Sequence, residues 1–428
     1  MSERCNKEEL LAREIFPSRL ALACWTRADP PHATIPSAQM DQRLEHSTAP
    51  RTILYIDHAT ALGGAERSLL LLLQHLDRTR FRPLLATNPG PLADAAASLQ
   101  IPGFAIPMPA LRRQPAAILR LWTGARALTR VIHRERVDIV HSNVMRASFY
   151  AAIASKLTRR PLVWHVRDIH TEKWYIWLMS RLAQRTISVS DAAARPLHTS
   201  QLAVIHNGVD LPEFDPSLID ATTFKAQLGV PADTPLVGII GRIRPWKGQQ
   251  YFLAAASEVA RLVPAARFLI VGGTIFPAKE DYLGQLRRVA RDYGIADRVI
   301  FTGHRHDVPE ILAALDVLVH CSDAEPFARV VIEGMAMAKP IVAFADGGTP
   351  EAVLHRETGL LVAPGDVPAL AGAIERILQD EPLRRDMGKK GRARVEAMFT
   401  AEQMTRKVEV VYEKLLSRRT VRGCDETR

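Results

Sequence analysis

Four charged side chains stand in two short segments whose make-up suits a ligand with hydroxyls at its ends and a diphosphate between them. Glu325 and Glu333 bracket E-P-F-A-R-V-V-I-E, and upstream Arg242 and Lys247 sit in G-R-I-R-P-W-K-G. A carboxylate accepts hydrogen bonds from two neighbouring hydroxyls at once, while Arg neutralises phosphate oxygens with a planar fork and Lys as a point charge. From Phe327 onward, F-A-R-V-V-I-E-G-M-A-M-A reads as a helix. Its free N–H groups and positive dipole end then follow directly on Glu325, where an anion is stabilised. Either glutamate alone reads more simply as a cap or a solvated helix residue; the four charges together argue otherwise.

The elements that must position these groups alternate. From Thr52 the chain runs T-I-L-Y-I-D, then H-A-T-A-L-G-G, then A-E-R-S-L-L-L-L-L-Q-H-L: strand, Gly-rich loop, helix. Short apolar strands follow at R-P-L-L-A-T, D-I-V-H-S, P-L-V-W-H-V and R-T-I-S-V-S. After a less periodic, Pro-bearing stretch from Val209 to Pro235, alternation restarts with P-L-V-G-I-I-G, R-F-L-I-V-G-G, R-V-I-F-T-G, D-V-L-V-H and P-I-V-A-F. Such alternation argues for parallel strands covered by helices, hence an α/β chain of two Rossmann-like halves. Ligands of open parallel sheets lie beyond the carboxyl ends of the strands. Arg242 follows the strand ending at Gly241, Gly272 and Gly273 end another, and the glutamate segment follows a third, so all three share one rim. Gly63 and Gly64 occupy the equivalent rim of the first half, where missing side chains let backbone approach a diphosphate.

The glutamate pair, G-R-x-x-x-x-K-G, G-G-A-E-R (Gly63 to Arg67), H-N-G-V-D (His206 to Asp210) and G-G-T-P-E (Gly347 to Glu351) together resemble glycosyltransferase family 4, from residue 51 to residue 418. The resemblance implies a retaining transferase of the GT-B fold, two Rossmann-like domains facing across a cleft, with a nucleotide diphosphate sugar as donor. Residues 51–208 are then the acceptor domain, completed by a C-terminal helix over 400–418 that packs back onto it. Residues 209–399 are the donor domain, and 419–428 a frayed tail. A family histidine near the donor's reacting sugar corresponds to His165, with His141 its main rival and Arg167 and Asp168 placed to orient the ring or touch acceptor. Glu325 is expected to position sugar hydroxyls and Glu333 the ribose. Arg242, Lys247 and the helix start at Phe327, Ala328 and Arg329 are expected to stabilise the departing diphosphate. Retention in the family is explained by front-face attack, the leaving phosphate taking the acceptor's proton. The chain departs from the commonest family wording at Ala328, where a methyl crowds the phosphate side, and at Gly334, a glycine costing about 1 kcal/mol inside a helix.

Composition sets the outer bounds. A chain of 428 residues, 47% hydrophobic, fits two domains. No apolar run is long enough to cross a bilayer, and residues 1–20 lack an apolar segment with a small-residue cleavage site, so a cytoplasmic protein is expected, peripheral on the membrane's inner face if it meets one. Residues 1–50 mix charge, Pro and small polar residues and read as a disordered tail, with Met40 an alternative start. Cys5, Cys24, Cys321 and Cys424 form neither a disulfide framework nor a zinc site, and His304 and His306 lack companions for one. No D-x-D cluster stands near the donor motifs, so no cofactor and no essential metal are expected. The net charge of +10 and pI of 9.6 come without a basic block interleaved with aromatics, which argues against a nucleic-acid partner. An anionic membrane surface remains open as a partner. Ile118, Leu121, Trp122, Ala125, Leu128 and Ile132 share one helical face and Arg120, Arg126, Arg130 and Arg134 the other, a pattern that also suits ordinary core packing. The acceptor is expected to be a glycan or lipid-linked intermediate of envelope or extracellular polysaccharide synthesis. An epimerase or phosphorylase on the same frame, or a non-catalytic sugar-nucleotide-binding subunit, is the competing reading.

Overall fold

Two parallel sheets follow from the two runs of alternation, in a computed structural model that describes residues 49–110, 115–273 and 281–425. The expected tail lies, up to residue 48, outside the described residues. The first half comprises β1 (Arg51–Ile56), α1 (Gly64–His75), β2 (Phe81–Thr87), β3 (Gly103–Ala105), α2 (Pro115–Arg134), β4 (Ile139–Ser142), α3 (Met145–Thr158), β5 (Leu162–Val166), α4 (Lys173–Leu182), β6 (Arg185–Ser188) and β7 (Leu202–Val204). In the second, β8 (Leu236–Ile240), β9 (Arg267–Val271), β10 (Val299–Gly303), β11 (Val317–His320), α5 (Arg329–Ala336), β12 (Ile341–Phe344) and β13 (Gly359–Val362) carry the site, and a last long helix, α6 (Ala401–Asp425), ends the described chain. Strand order is β3-β2-β1-β4-β5-β6-β7 in one sheet and β10-β9-β8-β11-β12-β13 in the other.

Each sheet therefore reverses direction once, between β1 and β4 and between β8 and β11. At such a switch point the loops leaving the two neighbouring strands diverge to opposite faces and open a crevice. β8 and β11 are directly paired, Val237 beside Val317 and Ile239 beside Val319. The loop after β8 carries Arg242 and Lys247, and the loop after β11 carries Glu325, so sheet order alone brings these groups together across a gap of many residues. The central strands are buried on both faces, which is why they read as continuous apolar runs. The three strands the sequence pattern does not reveal, β3, β7 and β13, are all short and all at sheet edges.

The chain crosses between halves twice, side by side. The Val209 N–H donates to the Phe399 carbonyl (2.9 Å) and the Ala401 N–H to the Val209 carbonyl (3.0 Å). α6 then lies on the first half, burying Met404, Val408 and Tyr412 among Tyr55, Leu69 and Leu72. It continues to Asp425, past the residue 419 at which fraying is expected. Gly208 makes the double crossing possible: a Cβ there would stand 2.7 Å from the Thr400 carbonyl oxygen and 2.8 Å from the Ala401 Cα. Since both neighbours are backbone, Gly208→Ala must spread the two crossings. Its expected cost is about 1–3 kcal/mol, read as a lower urea midpoint with an unchanged slope.

Candidate active site

Between the halves lies a cleft of about 630 Å3, within the range of small-ligand sites. Its second-half wall includes Arg242, Lys247, Glu325, Phe327, Ala328, Arg329 and Glu333; Gly63 and Gly64 face them from the first half. The Arg329 guanidinium reaches across to the Gly64 carbonyl at 3.5 Å, the limit of a hydrogen bond.

The charged groups on the floor are neutralised locally. Glu325 forms an ion pair with Lys247, and the His320 Nε2 lies 3.7 Å from the same carboxylate oxygen. Burial pushes the Glu325 carboxyl up, but the charge and hydrogen bond of the Lys247 ammonium outweigh it and hold the carboxyl below its usual value of 4.5. Burial drives His320 itself down to about 4, so it is neutral at physiological pH. Glu333 pairs with Arg329 one helical turn away, at 2.7 Å. Arg242 is exposed, 5.7 Å from the Trp246 ring centroid, and has no carboxylate partner among the described residues; the Lys247 Nζ lies 4.2 Å from the same ring.

The loop geometry corrects one expectation. The helix after Glu325 begins at Arg329, with Ala328 as its N-cap, two residues later than Phe327. The cause is the Gly347–Gly348 turn, whose Gly348 N–H donates to the Glu325 carbonyl at 2.8 Å, while the Asp346 carboxylate accepts from the Ala324 N–H at 2.6 Å. Gly347 has a φ of +55°, and any Cβ there would collide with the Glu325 backbone. Held extended, the segment turns Phe327 toward the crossing, where its ring lies 4.9 Å from His206 and 5.7 Å from Phe399. Ala328 is almost fully buried in the core. Gly334 faces Leu318 of β11, and a Cβ would press into that side chain, so the helix-propensity cost is offset by close helix-to-sheet packing.

On the first half, a buried polar network occupies the strand ends. The Arg167 Nε donates to the Asn143 Oδ1 (2.6 Å) and its Nη1 to the Ser68 Oγ (2.9 Å) and the Asn207 Oδ1 (3.0 Å). Asn143 in turn donates to Asp57 at 2.7 Å. Burial, reinforced by Glu66, lifts the Asp57 carboxyl to about 6, and burial lowers Arg167 to about 10, still charged at neutral pH. Arg167 and Asp168 line the cleft.

His165 stands one layer behind them. It is 3% exposed and is not part of the cleft lining; its Nδ1 lies 3.1 Å from the His141 Nε2, and the His141 Nδ1 lies 2.7 Å from the Tyr412 hydroxyl, which donates to Tyr55. Burial first, and the nearby Arg167 next, hold both imidazoles well below their usual value and so neutral. The His165 Nε2 is buried with no partner among the described residues.

The H-N-G and G-G-T-P-E motifs also acquire a joint role that spacing does not convey. The Glu351 carboxylate accepts from the Asp191 and Ala192 N–H groups of the first half at 2.8 and 2.9 Å and pairs with the His206 Nε2 at 2.8 Å. One second-half glutamate thus clasps both the crossing segment and a helix start of the first half. His304, at the cleft edge, lies against His306, their centroids 4.8 Å apart; no cluster of metal-ligating residues occurs among the described residues.

Two all-parallel α/β sheets enclosing a cleft, one wall presenting cations, acids and a helix start, define a GT-B glycosyltransferase arrangement. The chain matches the family described as glycosyl transferases group 1 over residues 220–394 and glycosyltransferase family 4 over residues 62–213. It belongs to glycosyltransferase family 4. The HepE protein of Anabaena, solved in complex with UDP-glucose, is 28% identical with a TM-score of 0.74, the match covering 86% of this chain and 99% of that one. The lipopolysaccharide core biosynthesis mannosyltransferase LpsB of Rhizobium meliloti is 29% identical over 245 residues, 57% of this chain and 69% of that protein. The D-inositol 3-phosphate glycosyltransferase of Mycolicibacterium smegmatis is 35% identical over 204 residues, 47% of this chain and 44% of that one. The chain thus spans about two thirds of one of these curated relatives and less than half of the other.

The Lys247–Glu325 pair gives a signed expectation. A carboxyl whose folded value is depressed lends stability that is complete above 4.5 and lost as pH falls through the lower folded value. Glu325→Gln should therefore destabilise the protein by up to about 3 kcal/mol at neutral pH, and the gap to wild type should close in acid, as measured by urea unfolding across pH.

Proposed function

We propose that this chain is a retaining glycosyltransferase that moves a sugar from a nucleotide diphosphate sugar to a hydroxyl of a glycan or lipid-linked acceptor, on the cytoplasmic side, in envelope or extracellular polysaccharide synthesis. The observation that carries the proposal is the convergence of Arg242, Lys247, Glu325, Glu333 and the start of α5 on one cleft wall. HepE, a relative of near-full coverage, is solved with UDP-glucose, which favours a UDP-sugar as the first donor to test. The name of LpsB points toward envelope glycans.

Cleaving the bond between the anomeric carbon and the diphosphate puts negative charge on the departing phosphate. In the proposed mechanism Arg242 and Lys247 meet that charge, together with the free N–H groups at the α5 start. The ion pair of Lys247 with Glu325 places a group that takes up phosphate charge directly against the group proposed to hold sugar hydroxyls. Glu333, fixed by Arg329, is assigned the ribose hydroxyls. Gly63 and Gly64 let first-half backbone close on the diphosphate. Front-face attack with the phosphate accepting the acceptor's proton needs no protein base, in keeping with neutral, buried His165 and His141. Two cations on the cleft wall, Arg242 and Lys247, support a reaction without an essential metal.

The geometry favours a positioning role for His165 in place of direct contact with the reacting sugar: Arg167 and Asp168 form the wall, and His165 backs them. His165→Ala should lower kcat with little change in donor KM, and His165→Asn, which retains a polar planar side chain, should restore part of the loss. Loss through His141→Ala with His165→Ala near full activity would reverse the assignment.

A panel of UDP-, GDP- and ADP-sugars, followed by calorimetry and slow donor hydrolysis, tests the reading. Binding of at least one donor is expected, with Lys247→Met lowering turnover by about 10²–10³-fold and chelator leaving activity unchanged. Donor consumption without acceptor, or only with free phosphate, would identify an epimerase or phosphorylase instead.

A further inference from the structure

Outside the cleft, the first half carries an apolar surface that no part of the described chain covers. α2 and α4 both pack on α3: Gly124 lies against the Tyr150 ring, and Trp174 stacks on Phe149 with centroids 5.7 Å apart. The face expected along α2 splits in two. Ala125, Leu128 and Ile132 are buried in the core and Leu121 packs partly against it, but Ile118 and Trp122 are 66% and 46% exposed, as is Leu119 beside them at 67%. On α4, Trp174 and Trp177 are 61% and 57% exposed. Five large apolar side chains thus stand in water on the two helices that pack on α3.

The charge around them is predominantly positive. α2 contains Arg120, Arg126, Arg130 and Arg134 and α4 contains Lys173 and Arg181, with the Arg181 guanidinium 4.3 Å from the Trp177 ring centroid; against these stand Glu172 at the α4 N-cap and Glu135, which pairs with Arg134 beyond the far end of α2. Exposed tryptophan with its amphipathic ring suits the headgroup level of a bilayer, and a surface where cations outnumber acids is complementary to anionic lipid. A second copy of the chain is a poor occupant, because a two-fold contact through this face would set arginines against arginines. Val144 and Met145, at the head of α3, line the cleft, so the surface adjoins the acceptor side of the proposed site.

We propose that the exposed ends of α2 and α4 seat on an anionic membrane, with Ile118, Leu119, Trp122, Trp174 and Trp177 at headgroup depth and the arginines and Lys173 over the lipid charge. The contact itself stands on this surface alone; its purpose, presenting a lipid-anchored acceptor to the cleft, rests on the glycosyl-transfer reading.

The test is cosedimentation of the full chain with vesicles of phosphatidylcholine alone and of phosphatidylcholine with phosphatidylglycerol, at low and high salt, with tryptophan emission read in parallel. The expected result is binding to the anionic vesicles at least tenfold stronger than to neutral ones, weakened by salt, with a blue shift. Arg120→Glu with Arg126→Glu, and separately Trp174→Ser with Trp177→Ser, should each reduce that binding by about tenfold or more, while UDP-glucose binding matches wild type. All four substituted side chains are exposed, so the fold should tolerate the changes. Equal binding to both vesicle types, no binding, or variants that bind like wild type would overturn the proposal, as would vesicle-independent dimerisation abolished by the tryptophan changes. Vesicle binding without binding of any sugar nucleotide would sink the transfer reading and leave the membrane contact standing.

Discussion

The buried pairing of Lys247 with Glu325 is the interaction around which the second half of the molecule is organised. Removing a carboxylate from water is tolerable only where a cation and further polar groups repay the lost hydration. Lys247 can do so because Gly248 follows it in a left-handed conformation, with a φ of +74°, tight against the Cys321 carbonyl at the end of β11. Glu325 can do so because the Gly347–Gly348 turn holds its backbone from the other side. Two glycine contacts and one strand pairing thereby fix a cation and an acid that lie far apart in the chain.

A similar logic operates in the first half with neutral partners. Arg167 is buried without direct contact to a carboxylate among the described residues; oxygen atoms of Asn143, Ser68 and Asn207 accept from its N–H groups, and Asp57 acts through Asn143. The network joins the ends of β1, β4 and β5 to α1 and to the crossing. Any movement of the halves about the crossing therefore acts on Asn207, and through it on a side chain in the cleft wall. Such coupling is carried by specific hydrogen bonds, whose loss leaves a buried charge unsatisfied.

Much of this was legible in the sequence, and the reasons are local. Central parallel strands are apolar on both faces, so β1, β5, β8 and β11 announce themselves; edge strands β3, β7 and β13 bury too little to do so. Arg242, Lys247, Glu325 and Glu333 could be grouped because strand ends share a rim. The start of α5 could not be placed, since it depends on a turn centred on Gly347 that is distant in sequence. His165 illustrates the same limit: a residue at a strand's end can face the cleft or the layer beneath, and here Arg167, two positions on, takes the wall. The clasp made by Glu351 leaves no periodic signal, because its three partners come from two separate stretches of chain.

The return of α6 to the first half has a consequence for engineering. A chimera that grafts a relative's first half onto the second half of this chain cannot be made with a single junction near Val209. The terminal helix supplies Tyr412, which hydrogen-bonds Tyr55 and His141, as well as core side chains beneath β1. It must travel with the lobe it covers, through a second splice beside Thr400. The graft must also bring a helix start able to receive Glu351. Recombination that ignores either condition would yield two well-formed sheets with mismatched seams, so the segments free to exchange are discontinuous in the gene although continuous in space.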